Sequence, residues 1–279
     1  MTQDERLTLL VDRFRADAGD AAVFHDLPAG VTAAGAGPDE RRRVLRSLMN
    51  VRMPRPMDAD TLRLQDEYLR EAALERGVVQ VSDIPTLGDG APFGDVLSLW
   101  QGDITRLAAD AIVNAANAQM LGCFVPMHNC IDNCIHTFAG IQLRDACARN
   151  MAALRARYGP DYEQPTAVPM LTDAYNLPAK KVVHIVGPIV TGRLTKTHER
   201  QLADCYRETL ALCAENRLSS VAFCCISTGV FHFPPDRAAQ IAVHTVRDWL
   251  AENPGRVGRV IFNVHSDRSR AIYEGVLYR

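Results

Sequence analysis

The sequence predicts a three-layer α/β/α domain with a mixed, largely parallel central sheet, preceded by a helical extension. Three observations carry this. Short apolar runs at residues 96–100, 111–113, 182–186, 221–226 and 260–264 alternate with helix-like segments near 132–155, 198–216, 236–252 and 267–278. Several of these runs are apolar throughout instead of alternating, as strands covered on both faces require. Residues 1 to about 80, by contrast, read only as helices. Strand–helix alternation points to a layered α/β domain, whose ligand sits beyond the carboxyl ends of the strands.

In chain order, Thr2 with Glu5 forms a capping box before an amphipathic run of Leu7, Leu9, Leu10, Val11 and Phe14. A Gly/Pro/Ala-rich loop over 27–38 separates it from a second helix at 39–49, rich in Arg and Leu. A third helix over 60–76 places Leu62, Tyr68, Leu69, Ala72 and Leu74 near one face, and Gly77 stops it. None of the three clusters reactive polar groups, so residues 1–80 read as an extension packed on the main body. A breaker-rich linker over 82–94 leads into the α/β domain, residues 95–279.

Composition excludes several functions. The 279 residues carry 31 Lys+Arg against 33 Asp+Glu, a net charge of −2 that argues against an electrostatic binder of nucleic acid or acidic membrane. No run approaches the ~18–20 apolar residues of a membrane span. The start, MTQDERLTLL, lacks the layout of a secretory signal. A soluble cytoplasmic protein is expected, its eight cysteines being thiols or metal ligands. They are unevenly placed: none precedes Cys123, and Cys123, Cys130, Cys134 and Cys147 then fall within 25 residues.

Three segments lie at strand ends. Gly102 after the first run allows a tight turn, and Asp103 stands at the strand's mouth, able to accept from a ligand amine or to cap the turn with Thr105. Asn114-Ala115-Ala116-Asn117 puts two uncharged donor–acceptor amides around two small residues, suited to ribose hydroxyls or to a structural turn. Ser227-Thr228-Gly229-Val230-Phe231 exposes consecutive backbone N–H groups as a nest for phosphate. Neither a Walker loop nor a G-x-G-x-x-G fingerprint is present.

Cys123, His128 and Cys130 have the spacing C-x₄-H-x-C in a loop containing Gly122 and Pro126. Thiolate plus imidazole favours Zn²⁺. If Cys134 closes the site, the ion is structural; if it stays out, a position remains open for chemistry. There is no G-x-S-x-G elbow and no H-E-x-x-H. His136, His184, His244 and His265 read as core or surface histidines, whereas Asp132, just past the metal loop, either caps a helix or activates water.

Taken together, Gly102-Asp103-Ile104-Thr105, Asn114-Ala115-Ala116-Asn117, Ile131-Asp132-Asn133-Cys134-Ile135-His136 and Ser227 to Phe231 resemble the macrodomain family in order and spacing, over about residues 95–279. The Cys/His loop replaces that family's usual glycine run, and with the helical N-terminus it resembles the zinc-dependent subfamily. The resemblance implies a zinc-dependent protein-ADP-ribose hydrolase that removes mono-ADP-ribose from side chains. It implies an ADP-ribosylated protein as substrate, with a lipoyl-carrier protein and a sirtuin-type ADP-ribosyltransferase as partners. Asp103 and the Ile104 backbone are then expected at the adenine. Asn114 and Asn117 are expected at the distal ribose. Ser227, Thr228, Gly229, Val230 and Phe231 are expected around the diphosphate, with Phe231 walling the ribose. Cys123, His128 and Cys130 are expected to hold Zn²⁺ with Cys134 outside. Asn117 and Asp132 are the expected catalytic pair, and an ester to Asp or Glu, the better leaving group, is the expected linkage. The rival expectations are an ADP-ribose-binding module with structural zinc, and an O-acetyl-ADP-ribose deacetylase.

Overall fold

The computed structural model of the chain describes residues 1–19 and 37–279. The loop expected over 27–38 falls, up to residue 36, outside the described residues.

Helices α1 (Gln3–Ala18), α2 (Pro38–Val51) and α3 (Ala59–Glu75) form the extension. The capping box is present in both directions, Glu5 N–H to Thr2 Oγ1 and Thr2 N–H to Glu5 Oε2. The three helices close on a core of their own, including Leu7, Phe14, Leu45, Leu48 and Tyr68, joined by Ile141 of the main domain. On α3 the buried stripe is Thr61, Leu64, Gln65, Tyr68, Leu69 and Ala73. Leu74 is 65% exposed, because a one-residue offset at the helix end turns it away from that stripe.

The central sheet has six strands in the order β2-β8-β7-β4-β6-β5. These are β2 (Leu97–Gln101), β4 (Ala111–Ala116), β5 (Met170–Asp173), β6 (Lys181–Val186), β7 (Ser220–Phe223) and β8 (Arg259–Val264). All neighbours are parallel except β5 against β6. Four-residue β5 was not legible, because a strand that short leaves too little pattern to stand out. The run 221–226 leaves the sheet after Phe223, where its ladder with β8 ends at Phe223↔Phe262, so Cys224 to Ile226 lead into the loop beyond.

The helix expected at 132–155 is two, α4 (Ile131–Ala139) and α5 (Ile141–Tyr158). Gly140 breaks it at φ 93°, and the freed Ile141 N–H donates to Gln65 of α3. Helices α6 (Lys196–Glu215), α7 (Pro235–Glu252) and α8 (Asp267–Leu277) complete the layers. The linker is sewn to the body: β1 (Val79–Gln80) pairs with β3 (Leu107–Ala108), and the Leu87 N–H donates to Leu97 O at 2.9 Å. No helix among the described residues is long and apolar enough to cross a membrane.

Because five of the six strands run the same way, the carboxyl ends of β2, β4, β6 and β7 open onto one edge. That edge collects the flagged segments.

Candidate active site

Asn114 lies inside β4 and is fully buried; Asn117 stands just past the strand's end. Their spacing of three aims both amides at one carboxyl group, that of Asp132. Asn114 Nδ2 donates to Asp132 Oδ1 at 2.7 Å, and Asn117 Nδ2 lies 3.5 Å from Asp132 Oδ2. Asn114 also sits 3.1 Å from His184 Nδ1. Burial pulls the His184 pKa down to about 3, so the ring is neutral; with Nδ1 accepting, Nε2 carries the proton and faces Thr172 Oγ1 at 2.9 Å. Asn114, read as a ribose contact, therefore reaches the site edge through Asp132, whereas Asn117 is half-buried at the edge itself.

Asp132 stands in the first turn of α4 with 5% exposure. Burial pushes its carboxyl up to about 6, against the opposing pull of the Asn114 hydrogen bond and the Arg144 charge. His136 Nε2 is 3.6 Å away, and burial keeps that imidazole neutral. Of the four histidines expected in the core or at the surface, His136 and His184 are buried and His244 and His265 are exposed.

The Cys/His loop lies directly before α4. Gly122 turns it at φ 80°, with the His136 ring 2.8 Å from where a Cβ would sit. Its carbonyl accepts from Asn117. The Cys123, His128 and Cys130 ligand atoms all lie within 4.8 Å of one another, and Cys123 Sγ is 3.6 Å from His128 Nδ1. Two ligands at about 2.3 and 2.05 Å from one tetrahedral ion would be separated by about 3.6 Å, so these donors fit zinc. Cys134 is not in this group; its Sγ lies 3.7 Å from an Arg46 nitrogen. His136, Cys147 and His184 also converge within that span, but they are wholly buried and both His184 nitrogens have partners in the core.

Two residues not singled out from the sequence hold this region. Asn133 Nδ2 donates to the carbonyls of Cys123 and Val125, at 3.3 and 2.9 Å. Arg144 of α5, 4% exposed, donates to Leu121 O at 2.7 Å and to the carbonyls of Met49, Asn50 and Arg52 at the end of α2. Its guanidinium also lies 4.3 Å from the centre of the Phe124 ring. Burial brings its pKa down to about 10, so it stays charged at neutral pH. An arginine inside an ordinary-looking helix of mixed charge offers no pattern by which to find it.

At the β2 end, Asp103 Oδ1 accepts from the Thr105 N–H and hydroxyl, the capping alternative, while Oδ2 faces Arg76 Nη1 at 3.2 Å. Arg76, at the end of α3, lies 3.6 Å over the Phe138 ring. The extension thus touches the segment expected at the adenine. Ile104 is buried in the main-domain core.

After β7, Ser227 adopts φ 63° and His232 φ 56°, folding the Ser-Thr-Gly loop back so that Phe233 N–H donates to Ser227 O. The Gly229, Val230 and Phe231 N–H groups have no protein acceptor among the described residues, the arrangement of an anion nest. Ser227 packs on Gly187 beyond β6: a Cβ at 187 would meet Ser227 Oγ at 2.1 Å and Ile226 at 2.8 Å. Gly187→Ala is therefore expected to displace this loop. Titration calorimetry with ADP-ribose should show binding weakened by at least about tenfold, or about 1.4 kcal/mol, and unchanged affinity would exclude the loop as the phosphate nest.

The doubly covered parallel sheet and this strand-edge site define a class, and comparison with known proteins gives its name. Residues 113–242 match the macro domain model. The chain is 49% identical over 240 residues to a protein-ADP-ribose hydrolase from Treponema medium, covering 86% of this chain and 88% of the relative. It is 41% identical to a protein-ADP-ribose hydrolase from Staphylococcus aureus, over 84% of each. A Trypanosoma brucei macrodomain solved in complex with ADP-ribose superposes with a TM-score of 0.62 at 26% identity, covering 82% of this chain and 94% of that one. This chain belongs to the macro domain family.

Proposed function

We propose that this protein is a protein-ADP-ribose hydrolase, releasing mono-ADP-ribose from modified side chains through a zinc-containing loop. One observation carries it: a buried carboxyl with a raised pKa, held by two strand-end amides, directly beside a convergent Cys-His-Cys set. Hydrolysis forms a bond from water oxygen to the anomeric carbon of the distal ribose and breaks the bond from that carbon to the side chain. Asn117 orients the ribose. Asp132 accepts the water proton, a role suited to a carboxyl titrating near neutrality. An ester to Asp or Glu departs as carboxylate without needing a proton, so acidic-residue linkage fits a site beside which His136 and His184 are buried and neutral. Cys123, His128 and Cys130 would hold Zn²⁺, which when bound supplies Lewis acidity and charge stabilisation. Asp103 and Ile104 serve the adenine, and the 227–231 loop serves the diphosphate.

In this reading the enzyme works in the cytoplasm. A lipoyl-carrier protein is its modified substrate, and a sirtuin-type transferase supplies the modification. Release of ADP-ribose from a glutamate-modified protein tests it. Release is expected from the protein as purified, falling by at least about 10²-fold after verified zinc removal and returning on zinc addition. Full activity in zinc-free protein would sink the zinc requirement. Binding without turnover would favour the reader, and turnover confined to O-acetyl-ADP-ribose would favour the deacetylase.

A further inference from the structure

We infer that helix α2 of the extension is a wall of the Cys/His loop, with Arg46 and Asn50 acting as positioning residues for metal binding. This rests on the metal reading of that loop. Residues 117–130 contain no helix or strand, and Met127 sits at φ 58° although it is not glycine. Ordering such backbone costs roughly 1–2 kcal/mol per residue, so three ligands within eight residues need outside support.

That support comes from two turns of one helix. Arg46 Nη2 donates to His128 O at 2.8 Å and to Asn133 Oδ1 at 2.9 Å, and lies 3.7 Å from Cys134 Sγ. Asn50 Oδ1 accepts from the Met127 N–H at 3.0 Å, while its Nδ2 donates to Thr137 Oγ1 at 2.9 Å. Four residues apart, the two side chains share a helix face. Together they fix the carbonyl of ligand His128 and the amide of the left-handed residue before it. Arg46 also orients Asn133, whose amide holds the carbonyls of Cys123 and Val125. Asn50 is 1% exposed, so this grip is a buried one. The extension therefore shapes the ligand set and does not merely pack beside it. Partners of this kind typically contribute about 10–100-fold in metal affinity.

The test uses the full chain and Zn²⁺ in competition with a chromophoric chelator. Arg46→Met and Asn50→Ala are each expected to weaken zinc binding at least about tenfold. Asn50→Asp, which keeps the acceptor for the Met127 N–H, should restore most of the loss. Arg43→Met, on the same helix but exposed, should bind as wild type. Cobalt loading gives a second readout, since a distorted ligand set changes the thiolate-to-cobalt absorption where a purely structural role would leave it alone. Zinc affinities of both variants within twofold of wild type, with an unaltered cobalt spectrum, would overturn the inference. Wild type that binds no metal would instead defeat the metal reading, and this one with it.

Discussion

Asp132→Asn is expected to make the protein more stable and nearly inactive. Asp132 carries a pKa of about 6 in the folded chain against an ordinary 3.8, a shift whose first cause is burial. The sign follows from linkage. A carboxyl raised above its unfolded value contributes its full stability below about pH 4, when it is protonated in both states, and loses it as pH rises through about 6. At neutral pH the ionised group therefore costs on the order of 2–3 kcal/mol. Asparagine mimics the protonated form and still accepts from Asn114. The variant should match wild type near pH 4 and gain progressively to pH 7, roughly 5–10 °C in unfolding temperature. Metal-free protein is the sample of choice for that series, because a bound cation lowers the carboxyl. ADP-ribose release should fall by about 10²–10⁴-fold if the carboxylate takes the water proton. A variant no more stable at pH 7 than at pH 4, relative to wild type, would show that Asp132 is not held at an unfavourable ionisation.

Arg144→Met should have the opposite character, losing stability and site geometry together. The guanidinium serves four carbonyls, three of them at the end of α2 and one at Leu121. Methionine fills part of the volume but leaves those acceptors buried and unmatched, at about 1–3 kcal/mol each before relaxation. Some of this is offset, since the wild-type charge is itself desolvated. A net loss of about 3 kcal/mol, or roughly 6–12 °C, is expected. Hydrogen exchange should localise the loss to α2 and residues 121–128. A shift below about 2 °C would mean that water or a neighbour satisfies those carbonyls, and Arg144 would not be the tie between extension and domain.

Much of this was legible in the sequence, for physical reasons that differ by residue. Strands buried on both faces have to be continuously apolar, so β6 and β8 appear as runs at 182–186 and 260–264. Asn114 and Asn117 stand out because two amides after such a run have no packing purpose. Their destination did not stand out: whether an amide faces a ribose or a neighbouring carboxyl depends on α4, which arrives from later in the chain. Helix length at 132–155 misled because apolar periodicity continues across Gly140, and the break is set by docking against Gln65 of α3.

The sequence by itself determined the layered α/β class, the strand-edge location of the site and the Cys-His-Cys spacing, because each is a local matter of period, turn or ligand interval. Tertiary structure alone decided that the extension grips the segments of the candidate site. Arg46, Asn50 and Arg76 belong to α2 and the end of α3 yet hold residues 27 to 88 positions downstream. Hydrogen bonds of that separation leave no periodic trace in a chain, since the donor and acceptor are each unremarkable until folding removes water from between them.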